Sequence, residues 1–240
     1  MSDQDTSNYD NLVSFLQAKQ ALGTSINDSV TFLVDNTDPT VKNVVDSATI
    51  NDWAKAIHTV WIKTITLSQL VEGLGKVNRF SSEDINTTAN IYFLEIQIEV
   101  DTASILSQHN KDGSSNPIFV DSYIKMTSNH VSTTSGQGTN ELDTEELVPN
   151  ESIEWTAVSK NGSDTIQLKR FHASPINPNA DFKAIISDPV PESGSSNKYS
   201  SYVIQHPQPD FRKAYSFDFT INNGTQLFTF DPWLGDLSKP

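Results

Sequence analysis

The chain has 240 residues, of which 16 are basic and 30 acidic; its formal charge is −14, its pI is near 4.6, and it has no cysteine. Without cysteine there are no disulfides, thiolate metal sites, iron–sulfur clusters or thiol catalysis. The negative field opposes phosphate backbones and anionic lipid surfaces, so nucleic acid and membrane are not expected as partners.

The opening MSDQDTSNYD has neither a basic n-region nor an apolar h-region. No Sec-type signal peptide is therefore expected, and the expected compartment is the cytoplasm. No apolar run reaches the ~20 residues of a bilayer span. In NYDNLVSFLQAKQALG, Leu12, Phe15, Leu16 and Leu22 keep helical spacing, and Gly23 is a plausible stop. A second helical pattern opens on Thr49-x-x-Asp52, a capping-box match. Trp53, Ile57, Val60, Trp61, Leu67, Leu70, Val71 and Leu74 then recur at three- and four-residue intervals, up to Gly73 and Gly75. His58 lies in this pattern without a metal-binding partner at i±4, so it reads as a packed or surface helix residue. Residues 1–88 are taken as a helical N-terminal region.

After FSSEDINTTAN the period changes to two. Leu94, Ile96, Ile98 and Val100 alternate with Glu95, Gln97 and Glu99, the pattern of a half-buried strand. Further strand patterns are IFVDSYIKMT, SIEWTAV, DTIQLKRF, FKAII, YSSYVI, KAYSFDFTI and TQLFTFDP. Asn161-Gly162 and Asn223-Gly224 carry hairpin signals, between Trp155 and Leu168 and between Phe219 and Phe228. At least seven closely spaced strands, with no helical segment between them, predict a mainly β fold. The expectation is an antiparallel β-sandwich over residues 89–240, preceded by the α-helical region.

Between these strands lies SGQGTNEL, residues 135–142. A P-loop needs a second glycine spacing and a lysine, and a dinucleotide loop needs a third glycine and a helix. Ser135, Gly136, Gln137, Gly138, Thr139 and Asn140 have none of these, and Asp143, Glu145, Glu146 and Glu151 follow. The stretch reads as a strand-connecting turn in which glycine supplies positive φ. It is retained as the one candidate binding or motif loop. Ser135 lacks the G-x-S-x-G elbow, and His58, His109, His130, His172 and His206 stand in unrelated contexts. Residues 110–116 fail as an EF-hand, because Gly113 at position 6 puts Phe119 at position 12. The acidic stretch 141–151 reads as a solvated turn before it reads as a calcium site. No catalytic, cofactor or metal residue is assigned. By alternation, Tyr92, Phe93, Tyr123, Trp155, Phe217, Phe219, Phe228, Phe230 and Trp233 are mostly core, and any on the outer face are candidates to stack on sugars or on another copy.

In order along the chain, IEVDTASIL (98–106), DSYIKMTS (121–128), SGQGTNEL, LVPNESIEWTAVS (147–159), DTIQLKRF (164–171) and YSFDFTI…FTFDPWL (215–234) resemble the AidA/PixA family of bacterial inclusion-body proteins. The resemblance implies a compact β-sandwich without a catalytic residue set, accumulating in cells, sometimes as inclusions, and linked to host interaction. The helical region before Ile91 departs from the family pattern. The function expected first is a non-enzymatic, self-associating protein of the inclusion-body type, with itself as partner and no cofactor. The alternative is a lectin-like module binding a glycan or host protein, and the third is a carboxylate hydrolase.

Overall fold

The computed structural model describes residues 3–109, 116–129, 134–144, 147, 149–174, 185–205 and 212–235. The chain divides into two compact units, Met1–Phe93 and Leu94–Pro240.

The first unit contains α1 (Asp3–Ala21), α2 (Ile26–Val34), α3 (Pro39–Ser47), α4 (Ile50–Trp61), α5 (Leu67–Gly75) and α6 (Ser82–Asn90). Local sequence explains the punctuation. Ser25, Asp38, Thr49, Thr66 and Ser81 each accept an orphan amide of the following first turn. Thr49/Asp52 and Thr66/Gln69 both close as full capping boxes. The second of these splits the long helical pattern around residues 50–75 into α4 and α5. At the other end of α3, the Arg79 guanidinium donates to the carbonyls of Asp46 and Ala48. Leu12, Leu16, Val30, Trp53, Ile57, Leu70 and Leu74 meet in one core. His58 is buried there, 5.3 Å from the ring centroids of both Tyr92 and Phe93, and burial lowers its pKa to about 4. It packs as a neutral ring.

The strand β1 (Phe93–Val100) starts on the last residue of the first unit and leads into the second, which continues through α7 (Thr102–His109), β2 (Ile118–Phe119), β3 (Ile124–Ser128), β4 (Thr134–Ser135), β5 (Asp143–Thr144), β6 (Ser152–Ser159), β7 (Ile166–Ala173), β8 (Val190–Pro191), β9 (Lys198–Tyr202), β10 (Arg212–Ile221), β11 (Phe228–Phe230) and β12 (Trp233–Gly235). One sheet has the order β3-β1-β6-β9-β8; the other runs β12-β10-β11-β2, with β7 also paired to β10. Both feed one core. Ile96, Ile98 and Trp155 come from the first sheet, and Phe217, Phe219 and Phe228 from the second.

Four expectations are corrected. The chain is not mainly β: seven α-helices are described and strands hold 28% of residues. One of those helices, α7, lies inside the strand-rich half, because Asp101 caps it by accepting from the Ser104 amide. The strand pairing is not purely antiparallel, since β2 runs parallel to β11. Finally, Asn161-Gly162 makes a tight turn, with Gly162 at φ +69°, but it does not make a hairpin. It hands the chain from β6 in one sheet to β7, which pairs with β10 in the other.

The β10–β11 connection is a hairpin, with the left-handed positions at Asn222 (φ 52°) and Asn223 (φ 57°) rather than at Asn223 and Gly224. Asn tolerates that region almost as glycine does. Residues 182–184 of the pattern FKAII lie outside the described residues, and Ile186 makes the isolated bridge Ile186↔Val203.

Candidate functional site

The candidate loop is the tip of a small hairpin. Thr134↔Thr144 and Ser135↔Asp143 pair β4 with β5, and Gly136 and Gly138 take φ of +74° and +78°. A Cβ on Gly136 would sit 2.3 Å from the Glu141 carbonyl oxygen, so this position admits glycine alone. Thr139 folds the tip on itself: its hydroxyl donates to the Gly136 carbonyl (2.8 Å) and accepts from the Glu141 amide (3.1 Å). Asn140 is half-buried at the tip.

The tip lies along β3, which ends the first sheet. The Met126 amide donates to the Thr139 carbonyl, and the Gly138 amide donates to the Met126 carbonyl, each at 2.7 Å. Two residues on, the Gln137 carboxamide imitates a strand. Its Oε1 accepts from the Ser128 amide at 2.8 Å, and its Nε2 donates to the Ser128 carbonyl at 3.3 Å. Four edge groups that would otherwise face water are thus engaged. The opposite edge strand, β8, has two residues and ends in Pro191, which lacks an amide hydrogen.

Other motif residues also bond internally. Asp101 bonds Lys160 at 2.8 Å, and that lysine holds its carboxyl below the ordinary value. Thr102 donates to Asp164 at 2.6 Å, and Asp164 also accepts from Asn161 and Asn222. Asp121 accepts from the Asp231 amide at 3.1 Å, while Ser174 donates to the Asp231 carboxylate at 2.9 Å. Burial, and then the neighbouring Asp231 charge, push the Asp121 pKa up to about 6. A raised carboxyl pKa favours the fold when protonated, so this contribution is complete below about 4 and is lost as pH rises through about 6. Solvent screening of a half-exposed group leaves on the order of 1 kcal/mol. Asp121→Asn should therefore flatten the fall in Tm between pH 5 and pH 7; an unchanged slope in thermal unfolding would refute the assignment.

The β7–β10 pairing brings together a cluster that sequence reasoning missed. Asp218 is buried, with its side chain 2% exposed. Arg170 donates to its Oδ2 from Nε (2.9 Å) and Nη2 (2.7 Å), and His172 Nε2 lies 3.1 Å from its Oδ1. Burial would raise the Asp218 pKa, but the His172 and Arg170 bonds outweigh it and hold the carboxyl below its usual value. The His172 pKa is raised, chiefly by Asp218. Ser216 sits opposite His172 with a buried hydroxyl that lacks a partner among the described residues. Serine, histidine and aspartate are therefore neighbours, yet the geometry does not make a nucleophile. His172 Nδ1 is 2.8 Å from the Ala173 carbonyl. With Nε2 on Asp218, neither ring nitrogen is left to accept a serine proton. A protonated imidazole donating from both nitrogens fits these contacts and the raised pKa.

On the outer face of the first sheet, Glu95, Gln97, Thr127, Asn129, Glu154 and Thr156 line an open concavity of about 410 Å³. Lys198 already bonds Glu154 at 2.5 Å. No aromatic ring is among the described lining residues, so a sugar would find no stacking platform there.

Among the aromatics, Trp155, Phe217, Phe219, Phe228 and Phe230 are core, whereas Tyr92, Tyr123 and Trp233 are only half-buried. His130, His206, residues 110–115, Glu145 and Glu146 lie outside the described residues, as does the Asp143 side chain. Among the described residues there is no group of three or more His, Cys, Asp or Glu placed to hold a metal, and no helix long and apolar enough to cross a membrane.

No family model matches the chain, and no curated protein sequence does. Among solved structures the chain is similar to the inclusion body protein PixA from Burkholderia cenocepacia. The identity is 12% and the TM-score 0.48, over 60% of this chain and 94% of that one.

Proposed function

We propose that the chain is a non-enzymatic, self-associating protein of the inclusion-body type, built on a two-sheet β-sandwich and accumulating in the cell that makes it. The observation that carries this reading is the use to which the motif residues are put. Gln137, Gly138 and Thr139 close a sheet edge, Asp101 caps a helix, and Asp164 ties the β6–β7 turn to the start of α7 and to the turn of the β10–β11 hairpin. These are side chains that build a sealed, repeatable particle, and none presents a reactive atom. With β3 and β8 both blunted, the first sheet offers its face rather than its edges to other copies of the folded chain.

The charge of −14 sets the conditions for such contacts. Copies repel near neutrality, so association should strengthen with salt and as pH falls towards 4.6. Sedimentation velocity over protein concentration, salt and pH tests this. A strict monomer throughout, with no inclusions in the producing cell, would overturn the reading.

A further inference from the structure

We propose that Asn223 is a site of spontaneous covalent modification, where the Gly224 amide displaces ammonia from the asparagine side chain, and that the fold withholds Asn161 from the same reaction. The inference is independent of the proposed function.

The chemistry starts from two dipeptides, Asn161-Gly162 and Asn223-Gly224. Asparagine is thermolabile, and glycine after it hinders the reaction least, because no Cβ stands beside the attacking amide. The amide nitrogen forms a bond to the side-chain Cγ, the Cγ–Nδ2 bond breaks, and ammonia leaves with the proton of the amide. Water then opens the cyclic imide at either carbonyl. The products are aspartate and isoaspartate, the second with its main chain running through the side-chain carbon. Water is the one co-reactant, and nothing is oxidised or reduced.

Several features are common to both sites and do not separate them. Both asparagines are exposed. Each glycine amide donates back across its own turn, Gly162 to the Ser159 carbonyl at 3.0 Å and Gly224 to the Ile221 carbonyl at 2.9 Å.

The side chains differ. Asn161 Oδ1 accepts from the Ser159 hydroxyl at 2.6 Å and from the amides of Ser163 (3.0 Å) and Asp164 (3.3 Å). Its Nδ2 donates to the Asp164 carboxylate at 2.9 Å. To bring Cγ onto the Gly162 nitrogen, Asn161 must turn away from all four partners. Asn223 makes one side-chain bond among the described residues, accepting from Gln167 Nε2. The anchoring of that turn falls to its neighbour. Asn222 donates to Asp164 at 2.6 Å and accepts from the Thr165 amide at 2.9 Å. With Asn222 holding the turn, the Asn223 side chain has one bond to give up before it rotates.

The product acts on the same turn. Isoaspartate lengthens the main chain between positions 223 and 224 by one carbon, which draws the Gly224 amide off the Ile221 carbonyl. Either product adds a negative charge beside Gln167.

Peptide mass spectrometry of the full chain aged at pH 8.5, folded and in denaturant, tests this. In the folded protein Asn223 should convert at least about tenfold faster than Asn161, the scale of three further side-chain hydrogen bonds. In denaturant the two should convert at comparable rates. Ser159→Ala removes one of the four bonds and should speed conversion at Asn161 about fivefold while leaving Asn223 unchanged. No conversion at Asn223 in the folded chain, equal rates at the two sites, or faster conversion at Asn161 would each overturn the proposal. So would an Asn161 rate that Ser159→Ala does not move.

Discussion

Trp155→Ala should destabilise the strand-rich unit by about 3–5 kcal/mol, the range for deleting a fully buried aromatic side chain. Trp155 is 0% exposed and touches the rings of Phe171, Tyr215 and Phe217, at centroid separations of 5.8, 6.0 and 5.7 Å. Its indole nitrogen donates to the buried Tyr215 hydroxyl at 3.0 Å. Truncation therefore opens a cavity between the two sheets and strips the tyrosine of its donor. Trp155→Phe restores most of the volume but not the bond, so it should recover part of the loss. Denaturant unfolding followed by tryptophan-independent far-UV signal reads both. A loss below about 1 kcal/mol for Trp155→Ala would mean that the sheets do not meet at this residue.

The second large effect is expected at Asp218. Asp218→Ala removes the anion from between Arg170 and His172 and should cost about 3 kcal/mol, the lower end for breaking a buried pair, because Arg170 is largely solvated. The pH dependence identifies the mechanism. His172 has a raised pKa, so its share is fully present below about 6.5 and fades as pH rises through the folded value. Asp218 has a lowered pKa, so its share is fully present above about 4 and fades as pH falls through the folded value. Both partners are charged between these limits. The penalty of Asp218→Ala should accordingly be greater at pH 5.5 than at pH 8.5, measured as the difference in unfolding free energy from wild type. An equal penalty at both values would show that only the Arg170 bonds matter.

The sequence revealed the features fixed by local chemistry. The Thr49/Asp52 capping box, the Gly23 stop at φ +74° and the two-residue alternation from Leu94 to Val100 each follow from neighbours within one turn or one strand. The short helices α2, α3 and α6 escaped because each spans nine residues, too few for a periodic stripe. Their signals were the caps Ser25, Asp38 and Ser81. The Thr66/Gln69 box was equally visible, but the apolar spacing ran through it.

Asn161-Gly162 misled for a different reason. A tight turn fixes the local reversal and leaves open which strand the next segment joins. Here the pairing of Ile166 and Leu168 with Ile221 and Phe219 of β10, with both side chains in the core, decided that. The Asp218 cluster was out of reach altogether, since Arg170 and His172 meet Asp218 only through a pairing that spans 48 and 46 residues. In SGQGTNEL the glycines announced a turn, and Gln137, the least conspicuous letter, makes the side-chain bonds that reach the end of β3.

The position of that glutamine also bears on the order of folding. Ser128 and Gln137 are nine residues apart, whereas Arg170 and Asp218 are separated by 48 and Trp155 and Tyr215 by 60. The entropy of closing a loop grows with its length, and contacts between distant residues set the pace of strand-rich proteins. A ten-residue loop closes in about 10–100 ns, long before such distant strands find their partners. The hairpin tip is thus able to cover β3 while the second sheet is still unformed. In a cell making many copies at once, the slow stage of folding then proceeds with that strand already withdrawn from encounters between nascent chains.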